Sequence, residues 1–203
     1  MDLAPILKGR RSIRKYKTDV VPKEVLEDIL KISLWAPTGM YLQKWEVFVV
    51  GGKTRDKIAG AVSRSKPRIE PGLREFLPEK IVQYSMKFFD NFGDAPVLIL
   101  VYVPKIPLNI DAGMNNQERY NVERLRLTSL LSAAALAQNI LILAHEKGLG
   151  TCWMTDPKRA EEEINAILGI EDKDLVACIP IGYADQTPPA PPRNEDKIHW
   201  VDY

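Results

Sequence analysis

The residues from Leu127 to Ala144 read LTSLLSAAALAQNILILA, a run without a charged side chain. Its length approaches what a membrane span requires. Ser129, Ser132, Gln138 and Asn139 interrupt the run, alanines fill its middle, and Arg124, Arg126 and Lys147 flank it. Small residues with scattered hydroxyls and amides read better as a central helix buried inside a fold and packed on all sides. Such a helix needs partners on nearly every face, from its own sheet or from a second subunit. No membrane interaction is expected.

Around this helix the chain alternates helices and strands. Pro22 suits a first helical position, and Val25, Leu26, Ile29, Leu30 and Ser33 repeat at helical spacing until Pro37. The loop Ala36 to Met40 then feeds an aromatic and β-branched strand, Trp45 to Val50. Pro96 opens a second strand, Val97 to Val103; a third is expected at Gly150 to Met154 and a fourth at Leu175 to Tyr183, where Pro180 predicts an edge or a bulge. Helices are expected at about Thr54 to Val62 and Leu77 to Phe89. Asp156-Pro157 reads as a capped helix start and Gly169 as that helix's end. The order predicts one α+β domain spanning 1–203. Within it, 186–203 form an extended arm, because Pro188, Pro189, Pro191 and Pro192 impose polyproline geometry. His199, Trp200 and Tyr203 give the arm's end a reason to dock.

Composition narrows the function. With 28 Lys and Arg against 27 Asp and Glu, the formal net charge is +1, too little for a global field toward nucleic acid or anionic lipid. A local cluster, Arg64, Lys66 and Arg68, has acids nearby, so no nucleic-acid partner is expected. The two cysteines, Cys152 and Cys178, and the two histidines, His145 and His199, match no metal-ligand spacing, so no metal is expected. Few cysteines and a charged N-terminus without an apolar run favour the cytoplasm.

Three segments can carry chemistry. Arg10-Arg11-Ser12-Ile13-Arg14 sets three guanidinium groups and a hydroxyl within five residues, a set suited to a phosphomonoester; taken alone, a solvated basic turn is the somewhat better reading. In Ala36-Pro37-Thr38-Gly39-Met40-Tyr41-Leu42-Gln43-Lys44-Trp45, Gly39 permits close backbone approach and Gln43 offers donor and acceptor to a heterocycle edge. Taken alone it is only a helix-to-strand connection. Gly148-Leu149-Gly150-Thr151-Cys152-Trp153-Met154-Thr155-Asp156 lacks the GxGxxG dinucleotide pattern. Its end offers backbone N–H groups at a strand end and helix start, where negative charge is stabilised. No triad or carboxylate pair stands out, and no catalytic side chain is named.

Together and in this order, these segments resemble the nitroreductase family of FMN-dependent oxidoreductases. Further marks are Gln138-Asn139 in the Ala-rich helix, Gly148-Leu149-Gly150, and Ile181-Gly182-Tyr183 before a proline-rich arm ending in Arg193. Residues 55–92 contribute little. The resemblance implies an α+β sandwich, a mostly antiparallel sheet flanked by helices, with the C-terminal arm exchanged in a homodimer and FMN at each end of the interface. Arg10, Ser12 and Arg193 would hold the phosphate, Arg11 would lie along the ribityl-phosphate region, and Arg14 would face the N1/O2 edge of the ring. Gln43 would contact the pyrimidine edge and the backbone at Thr155 and Asp156 would approach N5. Pro37, Thr38 and Gly39 would belong to the partner-side wall. Tyr41 stands where family members usually have Asn, and Lys44 where they have Pro, so the pyrimidine contact is lost or replaced there.

The implied chemistry is ping-pong hydride transfer, with NADH or NADPH as co-substrate and a small electron-poor acceptor such as a nitroaromatic or quinone. Two other readings compete: a relative with the same fold and altered flavin use, and an interaction protein acting through Pro188 to Arg193, a PxxPxR pattern that SH3-like grooves accept.

Overall fold

The structure is a computed structural model that describes residues 2–203. In chain order it contains α1 (Leu3–Gly9), α2 (Lys23–Ser33), β1 (Glu46–Gly51), α3 (Gly52–Arg64), α4 (Lys66–Phe76), α5 (Glu79–Asn91), β2 (Val97–Pro104), α6 (Asn116–Glu146), β3 (Gly150–Thr151), α7 (Glu161–Leu168) and β4 (Lys173–Gly182). The four strands form one antiparallel sheet in the order β1-β2-β4-β3, so the fold is α+β as expected.

Helices cover both faces of this sheet. Leu98, Leu100 and Tyr102 point into a core shared with Ile58, Val62 and Phe89 of α3 and α5, while Ile99, Val101 and Val103 point into a second core with Ile29 of α2 and Leu136 and Ile140 of α6. That is why β2 is an unbroken apolar run, as a strand buried on both faces requires. The two helices of the second core are tied by a hydrogen bond from Asn139 Nδ2 to the Ser33 carbonyl (3.3 Å).

Several expectations need correcting. Pro180 lies on β4, a central strand, and the bulge falls elsewhere: Val101 pairs with Ala177 but Tyr102 with Leu175, leaving Val176 unpaired. The extra residue flips the pleat, so Leu175 joins one core and Ala177 the other although both are odd-numbered. Pro180 acts on the neighbouring strand. Its carbonyl accepts from Cys152 N–H (3.3 Å), but it has no N–H to return, so the pairing that begins at Gly150 and Thr151 lapses and resumes only as a single bridge at Met154–Cys178. The strand expected over Gly150 to Met154 is therefore interrupted.

The helix expected over Leu77 to Phe89 is the second of two. Leu77, preceding Pro78, is extended (φ −127°, ψ 143°) and separates α4 from α5, because proline disfavours helical geometry at the residue before it. Pro22 precedes α2 instead of opening it. Asp156 does not cap with its side chain; a 3-10 turn over Asp156–Ala160 comes first, and α7 ends at Gly169 in the left-handed region as expected.

The long helix, started by an Asn115–Glu118 capping box, is not packed on all sides. It is long and apolar enough to cross a membrane by length and composition alone, yet Ala133, Leu136, Ala137, Ile140 and Ala144 are buried in the second core. Tyr120, Leu127, Leu131 and Gln138, spaced along one stripe, are exposed, Leu131 to 71%. The arm's end also remains exposed: Trp200, 72% exposed, has its ring centroid 5.2 Å from that of the exposed Tyr203.

One glycine fixes how the N-terminal segment crosses this framework. Gly93 has φ +61°, its carbonyl accepts from Tyr16 N–H (2.9 Å), and a Cβ there would fall on the Arg14 carbonyl. Gly93→Ala should cost about 2–4 kcal/mol, from left-handed strain plus overpacking. Gly52→Ala, also at positive φ but facing open space, should cost only about 1 kcal/mol. Urea unfolding of the two variants checks the difference.

Candidate active site

The basic run Arg10 to Arg14 lies along the end of the sheet. Ser12 bridges Thr151 in parallel and Ile13 N–H donates to the Thr151 carbonyl (2.8 Å). Gly150 makes this contact possible, since a Cβ there would sit 2.8 Å from Ile13 Cγ1. Further along, Lys17 N–H donates to the Tyr183 carbonyl and Asp185 N–H to the Lys15 carbonyl, both at 2.9 Å. Two segments about 140 residues apart in sequence thus become neighbours at one sheet edge.

Side chains leave this run toward two cavities. The first, about 230 Å³, is bordered by Arg10, Arg11, Ile13, His145, Gly150 and the arm's root at Thr187. Arg11 spends Nη1 on the carbonyls of Lys8 (2.6 Å) and Arg10 (2.7 Å), at the C-terminal end of α1. Burial, and then the charges of Arg10 and Arg11, hold the His145 imidazole below its ordinary value.

The second cavity, about 200 Å³, is bordered by Arg14, Cys152, Trp153, Thr155 and Asp156 on one side and by Leu73, Phe88 and Phe89 on the other. Burial raises the Cys152 thiol pKa, while Arg14, the Ser12 hydroxyl and Arg10 act against that rise. Burial also raises the Asp156 carboxyl, opposed by Arg159. Arg10 and Arg14 make no ion pair among the described residues, so each cavity has a guanidinium group without a carboxylate partner at its border.

The sequence profile of the Nitroreductase family matches residues 7–183, nearly the whole span that builds this arrangement. The chain belongs to the nitroreductase family. The iodotyrosine deiodinase of Thermotoga neapolitana is 30% identical over 204 residues, covering 98% of this chain and 97% of its own. A BluB-like flavoprotein from Clostridium difficile 630 superposes with a TM-score of 0.77 at 26% identity, over the full length of both chains. The FMN-dependent nitroreductase NfnB of Mycobacterium smegmatis, solved with NADPH, superposes with a TM-score of 0.74 over 98% of this chain and 100% of its own; at 20% identity that likeness concerns the fold.

Within this one nitroreductase-family chain, Arg14, Thr155 and Asp156 border the second cavity, Arg10 and Arg11 border the first beside His145, and Ser12 sits between them on the bridge to Thr151. Pro37, Thr38, Gly39, Tyr41 and Gln43 border neither cavity. Their loop crosses α6 instead: Gly39 N–H donates to Ser132 Oγ (3.3 Å), a Cβ at Gly39 would fall on Thr128 Cγ2, and Gln43 N–H donates to Thr38 Oγ1 (3.1 Å). Met40, Tyr41 and Gln43 hold left-handed φ values of 55°, 56° and 43°, costly for residues with side chains, and Tyr41 is 90% exposed. Arg193 is exposed too, its Nη1 reaching only the carbonyls of Pro191 (3.2 Å) and Pro192 (3.3 Å).

Two features were not read from the sequence. His145 carried no motif, and the α4–α5 wall of Leu73, Leu77, Phe88 and Phe89 came from a stretch with no marker beyond its apolar spacing.

The His145 surroundings can be checked by NMR titration. Its ring should titrate below the free value of 6.5, and the double substitution Arg10→Gln with Arg11→Gln should raise the midpoint; an unchanged midpoint would remove the guanidiniums from its environment. Because the folded-state value is the lower one, protonation favours the unfolded chain. The stability contributed by a neutral His145 is intact above about pH 6.5 and declines as pH falls toward the folded-state value.

Proposed function

We propose that this chain is a cytoplasmic FMN-dependent oxidoreductase working as a homodimer, in which NADH or NADPH and then a small electron-poor acceptor occupy one site in turn. The observation that carries the reading is the Ser12–Thr151 pairing, which sets the Arg10–Arg14 run against the strand that leads into the 152–156 segment, so that Arg14 borders one cavity with that segment. We read the whole of 1–203 as one flavin-binding domain.

The residues fit FMN by their chemistry. At one end Arg10 and the Ser12 hydroxyl suit a phosphate dianion, which a bidentate guanidinium and a neutral donor recognise together. Arg193, whose guanidinium reaches only the Pro191 and Pro192 carbonyls among the described residues, would complete that end. Arg11 adds charge but little directional bonding, its Nη1 being engaged by two carbonyls. At the other end Arg14 would hold positive charge at the ring edge, and the backbone N–H groups at Thr155 and Asp156 would orient the ring. When bound, FMN supplies the hydride chemistry, accepting from NAD(P)H and delivering to the acceptor. The protein's share is to bind, orient and exclude water, for which the apolar wall of Leu73, Phe88 and Phe89 is suited.

A second copy explains what one chain leaves open. Trp35 (89% exposed), Met40 and Tyr41 lie on the segment that crosses α6 at Thr128 and Ser132, beside the exposed Leu127 and Leu131. Together they form an apolar surface of the kind that marks an interface. β1, at the end of the strand order, has one unpaired edge. The arm 186–203 would exchange between subunits and can cover such an edge. Pro37, Thr38, Gly39, Tyr41 and Gln43 would then reach the partner's flavin, Gln43 at the pyrimidine edge.

The purified protein should be yellow, and anaerobic NADH or NADPH should bleach it; failure to bind even added FMN would end this reading. Arg10→Ala and Ser12→Ala should each weaken FMN binding by roughly 10- to 100-fold, the worth of one charge-assisted contact, measured by equilibrium titration of flavin fluorescence. Removing residues 186–203 should convert a dimer to monomer in sedimentation velocity; an unchanged dimer would exclude arm exchange as its main support.

A further inference from the structure

The cavity of about 230 Å³ at the root of the arm is bordered by Arg10, Arg11 and His145 and by no acidic side chain. Neither arginine pairs with a carboxylate among the described residues. Two residues on its border carry buried polar groups without partners, Arg11 at Nε and Thr151 at its hydroxyl, and Thr151 is almost wholly out of water. Gly9 gives the His145 ring its place, since a Cβ there would lie 2.8 Å from His145 Nε2. Other charges near the ring do little to offset the arginines. On α6, Glu146 and Lys147 stand 3.9 Å apart and Lys147 also reaches Asp28 (2.8 Å), α1 ends in a further cation, Lys8, and the arm's root from Gln186 to Pro188 is uncharged. Unpaired guanidinium groups beside orphaned donors are costly, and an anion relieves both. A carboxylate brings one charge and few oxygens; a phosphate-type dianion brings two charges and enough acceptor oxygens for both arginines, the hydroxyl and the ring.

We propose that this cavity is an oxyanion site for a phosphate-type dianion, formed by Arg10, Arg11, His145 and the Thr151 hydroxyl. The anion has two sources, the phosphate of bound FMN, which Arg10 also serves, or a free oxyanion. The first source rests on the oxidoreductase reading; the site itself does not. Burial and the two guanidinium charges disfavour the protonated His145 ring. An anion between them offsets those charges, and the protonated ring then donates from both nitrogens. Binding therefore takes up a proton and strengthens as pH falls through the range in which His145 titrates.

The probe is sulfate, which keeps both charges between about pH 6 and 8, added to the flavin-free full-length protein with chloride controls at matched ionic strength. The chain has two histidines, so His199 on the exposed arm reports general salt effects while His145 reports the cavity. Sulfate should raise the His145 midpoint in NMR by about one pH unit and leave that of His199 within about 0.2. Sulfate affinity should rise roughly three- to tenfold from about pH 8 to about pH 6. His145→Gln should remove that rise while changing the affinity at the higher pH by less than about twofold. Thr151→Val, which keeps the shape and loses the hydroxyl, should weaken sulfate by roughly three- to tenfold and keep the pH dependence. An affinity unchanged by Thr151→Val, or a His145 midpoint that moves no more than that of His199, overturns the proposal. With FMN bound, a His145 midpoint already raised and indifferent to sulfate identifies the flavin's phosphate as the anion, and one that still responds to sulfate identifies a free oxyanion. Failure to bind FMN would sink the oxidoreductase reading instead and leave the sulfate titrations standing.

Discussion

A seam of backbone hydrogen bonds ties the first seventeen residues to the far end of the chain. Ile13 N–H reaches the Thr151 carbonyl, Tyr16 N–H the Gly93 carbonyl and Lys17 N–H the Tyr183 carbonyl, all within 2.8–2.9 Å. The Tyr16 hydroxyl, buried with its ring, donates from the same segment toward the carbonyls of Ile13 (2.7 Å) and Pro180 (3.1 Å). Buried backbone groups must be paired, and this seam pairs groups that the short β3 would otherwise leave open. It also fixes which side of the run each arginine leaves from. At Gly150 and Gly93 this approach tolerates no side chain.

The sheet beneath the seam supports the site by being rigid. β2 is buried on both faces and flanked on both edges, so its position is set by two cores at once. The cationic groups stand at the sheet's rim, where Arg10 and Arg14 keep part of their hydration and avoid the cost of burying an unpaired charge. The groups that are buried nearby, Cys152 and Cys178, are held as neutral thiols by desolvation, and neither is disposed to act as a nucleophile. This agrees with a site whose chemistry belongs to a bound cofactor and whose side chains bind and orient.

Strain and exposure concentrate in one region, the loop at Met40 to Gln43 and the outer stripe of α6. The loop with Met40, Tyr41 and Gln43 in left-handed geometry is pinned to α6 by Gly39 and closed on itself by Thr38, yet the side chains of Met40 and Tyr41 are exposed to solvent. Left-handed conformations persist in residues with side chains when the surroundings repay them. Within the chain, hydrogen bonds from Tyr41 N–H to the Thr38 carbonyl (3.4 Å) and from Gln43 N–H to Thr38 Oγ1 (3.1 Å) hold the backbone, while the side chains of Met40 and Tyr41 stay exposed. An interface formed by this loop and the outer stripe of α6 would cover them, and would let α6 be apolar on both sides without spanning a membrane.

The sequence alone was enough for what depends on local pattern. Apolar spacing located α2, β1, β2 and α6, Gly169 marked the end of α7, and the order of three segments from Arg10 to Asp156 pointed to the nitroreductase family, because each is bound to a local turn or terminus whose residue types are restricted. The open stripe of α6 was not legible, since Leu127 and Leu131 differ from Leu136 only in what stands opposite them. The bulge at Val176 and the interruption opposite Pro180 depend on a neighbouring strand, and the separation of α4 from α5 turned on one extended residue before Pro78. Arg11 turning to His145, and Asp156 facing Leu73, Phe88 and Phe89, were decided only when segments far apart in the chain were brought together. Charge, burial and hydrogen-bond partners are properties of that juxtaposition, and no window of sequence contains both sides of it.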